Sequence, residues 1–562
     1  MRISGFLLLV SACVLLAIIS GSSITLRGQA PSSAALAGQV TSKEEGPMEG
    51  VVVTAKKAGS TIAVTVVTDA RGQYQFPANR LDPGKYAISI RAVGYDLDGA
   101  GTADVAAGKT TTASLTLKKT ADLAAQLSNS EWLISFPGTD QQKNTIKGCT
   151  HCHTYELTVR SRHNAAQWLP VLERMSKYTP ESFPRQVQPM RKVARAGGGE
   201  LTMDAQAAQL ENRKKQAEYL ASLNLSAGPT WTYELKTLPR PKGDATKVII
   251  TEYDLPKITR QPHDVIVDSQ GMVWYAAFGE PLIGKMDPKT GKVVEYPTPV
   301  LKPNDVIGQL DMEFDKDENL WIAMIFQAAI AKFDRKTEKF QVFQLPPELN
   351  KDYREMTFVS PQNSHVDGKV WVNDSGSYNQ LRLDIATGKW EEFESNPLPR
   401  PNIYQMASDK QNNGWILMMG REDVGRIDAK TGKYTYFKTP TPRSAPRRGM
   451  IDANGIFWFG ENRGNKIGAF DTKTEKFQEW ASPIPEFLAY DVTGDKNGEA
   501  WAVTEFADRV ERLNPKTGAI IDYLLPRKTN GRRAWVDNKT NPVTFWVGNN
   551  HGASIVKVEP LQ

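Results

Sequence analysis

Along residues 36–118, apolar and polar positions alternate with period two in short runs broken by Gly, Pro and Asp. The runs Gly50–Ala55, Ala63–Thr68 and Lys85–Ile90 each read as a strand buried on one face. Six or seven such strands in about 80 residues predict a small β-sandwich. The period then changes. Trp168, Val171, Leu172 and Met175 stand at i, i+3, i+4 and i+7, which predicts a helix with one apolar stripe and Pro170 in its first turn. A second helix is expected over 204–224, with Leu210, Ala217, Leu220 and Ala221 turned to a core and a stop before Gly228-Pro229. From residue 245 the chain repeats itself. Trp274, Trp321, Trp371, Trp415, Trp458, Trp501 and Trp546 are spaced by 43 to 50 residues, the length of a four-stranded propeller blade. Ile283-Gly284-Lys285-Met286-Asp287 and Val424-Gly425-Arg426-Ile427-Asp428 repeat one strand, each followed by a Lys-Thr-Gly turn. The seventh unit ends at Val558 without a fourth strand, and Ile250–Pro256 supplies a matching one from the other end. The expected fold is mainly β: a sandwich over 36–118, a small α-helical region over 125–226, and a C-terminal seven-bladed β-propeller over 245–562.

Two features of composition change this picture. Residues 5–20 are almost wholly apolar and follow Arg2, the pattern of an export signal, with small residues placed for cleavage after Ala30. Residues 1–30 are therefore read as a signal peptide, an uncleaved anchor being the alternative. Val10-Ser11-Ala12-Cys13 has too short an apolar run before Cys13 for a lipoprotein signal. No later stretch is long and apolar enough to span a bilayer, so membrane contact is expected only through an uncleaved N-terminal segment. The second feature is charge. Sixty-nine basic and 63 acidic residues in 562 are nearly balanced, which argues against a dedicated nucleic-acid binder.

Outside the leader, cysteine occurs only in Cys149-Thr150-His151-Cys152-His153. C-x-x-C-H is the attachment signature of c-type haem: two thiols reach the porphyrin vinyl groups, and the following histidine ligates iron from one face. A zinc site would need four ligands, with only His151, His163 and His153 near enough to help. A redox-active dithiol would open a helix in a thioredoxin-like unit, a pattern missing from the sequence. The reading is one covalent haem c on Cys149 and Cys152 with His153 as axial iron ligand. It makes residues 125–226 a cytochrome c-like domain and, with the leader, places the protein in a bacterial periplasm or secreted. For the sixth ligand Met175 ranks first, because it shares the apolar stripe, and Met190 in a proline-containing loop ranks second. His163 and Met203 follow.

Residues 36–118 resemble the carboxypeptidase-regulatory-like domain, of transthyretin or carbohydrate-binding-like fold, through Gly38-Gln39-Val40, Gly72-Gln73-Tyr74-Gln75-Phe76 and Leu81-Asp82-Pro83-Gly84-Lys85-Tyr86. The resemblance implies a structural or sugar-adhesive module, and a spacer or presentation role fits best. The ring resembles the streptogramin (virginiamycin B) lyase family through Pro262-His263-Asp264-Val265, Val273-Trp274-Tyr275 and the Ile-Gly-basic-x-Asp strands. That family's C–O lyase site uses two histidines from neighbouring blades, with acids that hold magnesium. Here only His263 matches, and Gln261 stands where an acid is expected. Gly308, Asn402, Gly449, Tyr490 and Arg533 occupy the corresponding positions in other blades. The weak catalytic candidates are His263, His551, Glu461 and Glu505. His263 and His551 belong to blades one and seven, which adjoin after closure. Asp374, Arg447, Arg448, Tyr490, Arg532 and Arg533 are expected near them at the ring's channel, either binding an anion, a metal or a charged partner, or neutralising one another. The function expected is periplasmic electron transfer by a c-type haem protein whose propeller binds a substrate or redox partner. That partner is a protein or a small electron donor or acceptor. The alternatives are a magnesium-dependent lyase with an accessory cytochrome, and a carbohydrate or cell-wall scaffold.

Overall fold

Strand Ala34–Ser42 carries the first sheet of the sandwich. It pairs with Gly46–Pro47, Gln73–Pro77, Thr111–Thr112 and Leu115–Lys119, and the last pairs onward to Tyr95–Leu97. The second sheet runs Ile62–Val67, Val52–Lys57, Gly84–Arg91, Thr102–Val105. Alternation is the cause: in Gly84–Arg91, Tyr86 and Ile88 are buried while Lys85, Ala87 and Ser89 face water. Leu36, Val40, Val53, Phe76, Ile88 and Leu117 fill the space between the sheets. The structure is a computed structural model that describes residues 34–180, 182–184, 186–189, 203–225, 232–351, 354–394 and 401–561. The leader, with Cys13 and the expected cleavage at Ala30, and Met190 lie outside the described residues. Ten strands replace the six or seven expected, the surplus being pieces of two or three residues.

The tryptophan repeat marks seven antiparallel sheets. Six are four-stranded and consecutive, from Pro262–Pro297 to Asp491–Leu524. The seventh takes Trp535–Asp537, Thr544–Asn549 and Ser554–Pro560 from the C-terminus and its outer strand, Val248–Asp254, from the N-terminal side. The first blade's inner strand packs on the seventh blade, closing the ring. Each repeated tryptophan is buried on the second strand of its blade. In five blades its indole N–H donates to an aspartate six residues earlier: Trp274 to Asp268, Trp321 to Asp315, Trp415 to Asp409, Trp458 to Asp452 and Trp501 to Asp495, at 2.9–3.1 Å. Each aspartate also accepts backbone N–H groups of its turn, so one side chain fixes both the turn and the core indole. Trp371 donates instead to the Asn412 carbonyl, 2.8 Å away.

The sandwich is no separate spacer. Strand Val248–Asp254 pairs on its free side with Ile62–Val67, in register Ile249↔Val66, Thr251↔Val64 and Tyr253↔Ile62. Blade seven and the second sandwich sheet are thus one eight-stranded sheet. Ile249 turns into the sandwich core and Ile250 into the core of the blade. Ion pairs Arg91–Asp508 at 2.6 Å and Arg80–Glu559 at 3.0 Å lie across the same junction.

Between sandwich and ring the chain forms short helices. Asn129–Ser135 is opened by a reciprocal Ser128–Glu131 cap, and Ala165–Met175 by an Asn164–Gln167 cap. Met203–Ser222 is the longest helix among the described residues. Ala217 and Leu220 are buried as expected, but Leu210 is exposed. It sits two turns before the part of the helix that meets the core. Trp132, Leu133, Phe136, Tyr155 and Leu223 form that core, which continues into Leu488 and Phe506 of the ring. Among the described residues no helix is long and apolar enough to cross a membrane.

Candidate functional site

Cys149 lies in the 3-10 turn Lys147–His151, and Cys152 and His153 follow at once. All three line a cavity of about 730 Å³, a size suited to a sizeable ligand. Helix Ala165–Met175 forms another wall with Trp168, Val171, Leu172 and Met175, so the predicted stripe lines the cavity. Only Trp168 is fully buried, and Met175 is 41% exposed. His163 also lines the cavity, its ring edge-on to Trp168 at 5.3 Å. Met203 is 86% exposed at the start of the long helix.

The chemistry of the motif side chains follows from burial. His153 Nδ1 lies 3.0 Å from the Thr154 carbonyl oxygen. That oxygen only accepts, so Nδ1 donates and the neutral ring carries its lone pair on Nε2. Burial lowers the pKa of His153 and favours this neutral form. Burial, with Cys152 adding to it, pushes the Cys149 thiol up to about 12. A redox-active dithiol needs the opposite shift. Cys149 and Cys152 are not joined as a disulfide. Among the described residues no three His, Cys, Asp or Glu side chains converge as a metal site.

The ring's channel mouth is a buried ion cluster. Arg448 bridges Asp264 at 2.6 Å and Asp311 at 2.7 Å, and Arg533 pairs with Glu313 at 2.5 Å. Arg447 and Arg532 share Glu505, at 2.7 and 2.6 Å. Arg447 lies over the ring of Tyr490, 3.8 Å from its centroid. Burial opposes ionisation of Asp264, yet Arg448 and His263 hold its carboxyl below the usual range. Burial, with the nearby Asp264 charge, raises Asp311. Four guanidinium groups therefore meet Asp264, Asp311, Glu313, Asp491 and Glu505, and the charges largely cancel within the ring. Sequence reasoning found the arginines and Glu505 but not Asp264, Asp311, Glu313 or Asp491. Their signal was an acid inside otherwise apolar inner strands.

Two candidates lie elsewhere. Glu461 sits beside Glu479 and Lys466 of its own blade's outer strands. Asp374 is bound to Arg354 at 2.7 Å. His263 and His551 have different partners. His263 Nδ1 meets Asp264 at 2.8 Å, and its Nε2 lies 3.5 Å from the Tyr490 hydroxyl, which bonds in turn to Tyr404. His551 Nε2 donates to the carbonyl of His151, 2.9 Å away.

That last contact belongs to an interface. The cysteine motif rests on the ring mouth: Arg532 donates to the His151 carbonyl at 3.3 Å, and Asn530 to that of Thr150 at 3.5 Å. Around them Ser130 N–H donates to the Phe506 carbonyl at 3.0 Å, and Lys147–Glu486 and Lys528–Glu156 pair at 2.8 and 2.6 Å. The face expected to bind a substrate or partner is covered by the chain's own motif region.

Comparison with known proteins bears on two parts of the chain. Residues 307–560 match the virginiamycin B lyase family, and residues 35–118 match the carboxypeptidase regulatory-like domain. No curated protein matches. Solved structures similar to part of this chain include a virginiamycin B lyase from Staphylococcus aureus, 22% identical, covering 56% of this chain and 99% of that one at a TM-score of 0.48. A streptogramin B lyase structure is 21% identical, covering 55% and 97% at 0.48. An extracellular domain assigned to a hybrid two component system of B. thetaiotaomicron is 19% identical, covering 54% and 40% at 0.41.

Proposed function

We propose that the protein is an exported, periplasmic or secreted c-type haem protein that transfers single electrons. One haem would be held as thioethers by Cys149 and Cys152 and ligated through His153 Nε2. The observation that carries this reading is the cavity of about 730 Å³ with all three motif side chains on one wall and the Trp168–Met175 stripe on another. The residues fit the group: apolar walls, a Cys149 thiol that stays protonated until it reacts, a second thiol on the same wall, and an imidazole whose Nδ1 is already engaged. Bound there, haem supplies one-electron chemistry. Met175 stays the first candidate for the sixth ligand, with Met190 as the alternative. The ring acts as the frame that seats the motif region. An electron partner, protein or small molecule, therefore meets the exposed side of the cavity and not the channel mouth.

A second reading, a magnesium-dependent C–O lyase, is favoured by the family match over residues 307–560. Against it stand the covered mouth and the engagement of His263 with Asp264 and Tyr490. A carbohydrate-holding scaffold rests on the sandwich match alone. The test is spectroscopic. The full chain purified from the periplasm should keep its haem through acid-acetone extraction and show a c-type α band when reduced. Cys149→Ala combined with Cys152→Ala should give colourless protein. Covalent haem in the double variant, or zinc in the wild type, would overturn the proposal.

A further inference from the structure

Resting on the haem reading above, we infer that the ring sets the haem's reduction potential through one buried ion pair, Arg532–Glu505, fastened to the backbone between the two cysteines. Arg532 is fully buried and bonds in three directions. Its Nη1 meets Glu505 at 2.6 Å, its Nε donates to Asn530 at 2.6 Å, and its Nη2 donates to the His151 carbonyl at 3.3 Å. His151 directly precedes Cys152. His551 donates to the same carbonyl, and Asn530 to the one before it. Three side chains of blade seven thus hold two consecutive carbonyls of the attachment segment, and Arg532 brings a permanent cation to them. Glu505, paired with that guanidinium, also lies 3.9 Å from His151 Nε2.

The electrostatic consequence has a sign. Reduction adds one electron to the site, so a fixed positive charge nearby favours the ferrous form and a fixed negative charge opposes it. Both groups are out of solvent, where salt screens them little. Arg532 raises the potential and Glu505 lowers it. Arg447, also on Glu505 at 2.7 Å, moderates the second effect. Lys147–Glu486 and Lys528–Glu156, ion pairs beside the same segment, are part-exposed and therefore screened by solvent. Asn530 and His551 are positioning residues that keep the carbonyls against the guanidinium.

The experiment is a mediated spectroelectrochemical titration of the full-length holoprotein, the electrode supplying the electron. Arg532→Gln should lower the ferrous-to-ferric ratio at fixed applied potential, and Glu505→Gln should raise it, each by about threefold or more. Arg532→Lys, which keeps the charge, should stay near the wild type. Loss of packing alone would move both glutamine variants the same way, as water reached the cavity. Shifts of one sign, or none in Glu505→Gln, would overturn the inference. Should Arg532→Gln fail to fold, the rise in Glu505→Gln decides alone. Lack of covalent haem in the wild type would defeat the underlying reading instead, so the two failures are distinguishable.

Discussion

Glu461, a candidate acid in the sequence, tests how the ring handles buried charge. It closes strand Ile456–Glu461 and is fully buried. Burial, with the carboxylate of Glu479 beside it, lifts its pKa from 4.5 to about 9, and Lys466 offsets this only in part. Lys466 sits 2.8 Å from Glu479, so the negative charge belongs there and the proton on Glu461. In the unfolded chain Glu461 ionises near 4.5, whereas in the fold it keeps its proton to about 9. The stability it contributes is full below pH 4.5 and is lost as pH rises toward 9. Each pH unit in that window removes about 1.4 kcal/mol, so the span from pH 6 to 8 removes on the order of 3 kcal/mol through this group alone. Glu461→Gln abolishes the titration with little change of volume. Urea unfolding of wild type and variant, followed by tryptophan fluorescence at pH 6, 7 and 8, isolates the effect. Glu511, raised by burial to about 8, tilts both curves equally and cancels in the difference. The variant's advantage should grow by about 3 kcal/mol across the series. A difference that stays constant with pH would refute the placement of the proton.

Other outcomes can be checked independently. Ile249→Ala removes a buried side chain from the shared strand and should destabilise by about 2–5 kcal/mol, with sandwich and ring melting together; separate transitions by calorimetry would contradict the fused sheet. Met175→Ala should abolish the methionine-to-iron charge-transfer band and lower the potential; retention of the band, with its loss in Met190→Ala, would reverse the ligand ranking. The protein should not open a streptogramin B lactone, with or without magnesium. Lactone linearisation that needs magnesium and is lost in His263→Ala would put lyase chemistry first.

The ring was legible because its signal is local and periodic. One tryptophan per blade announces a strand whose neighbours are the next residues in sequence, and the unmatched strand near Ile250 announced closure. The partner of that strand's other edge was not legible. Ile62–Val67 and Val248–Asp254 are separated by the whole motif region, and two edge strands of ordinary composition carry no mark of choosing each other. The motif cysteines and His153 were legible as chemistry. Their seat on the ring was not, because Asn530, Arg532 and His551 bond to backbone carbonyls, which every residue offers. Arginines at the channel could equally have bound a ligand. Folding brings them against Asp264, Asp311, Glu313 and Glu505.

The continuous eight-stranded sheet also governs how firmly the motif region is seated. The chain leaves the sandwich at Leu115–Lys119 and returns at Val248–Asp254, strand positions in one fused body. The segment between them is a loop pinned at both ends, so its docking is an intramolecular event at an effective concentration on the order of millimolar or above. A few hydrogen bonds, two part-exposed ion pairs and the apolar contacts to Leu488 and Phe506 would make only a weak complex between free molecules. Here it has no translational freedom to regain by letting go. Detachment of the cysteine segment from blade seven is followed by recapture and not by escape. Interface substitutions should therefore loosen the segment's geometry well before they release it.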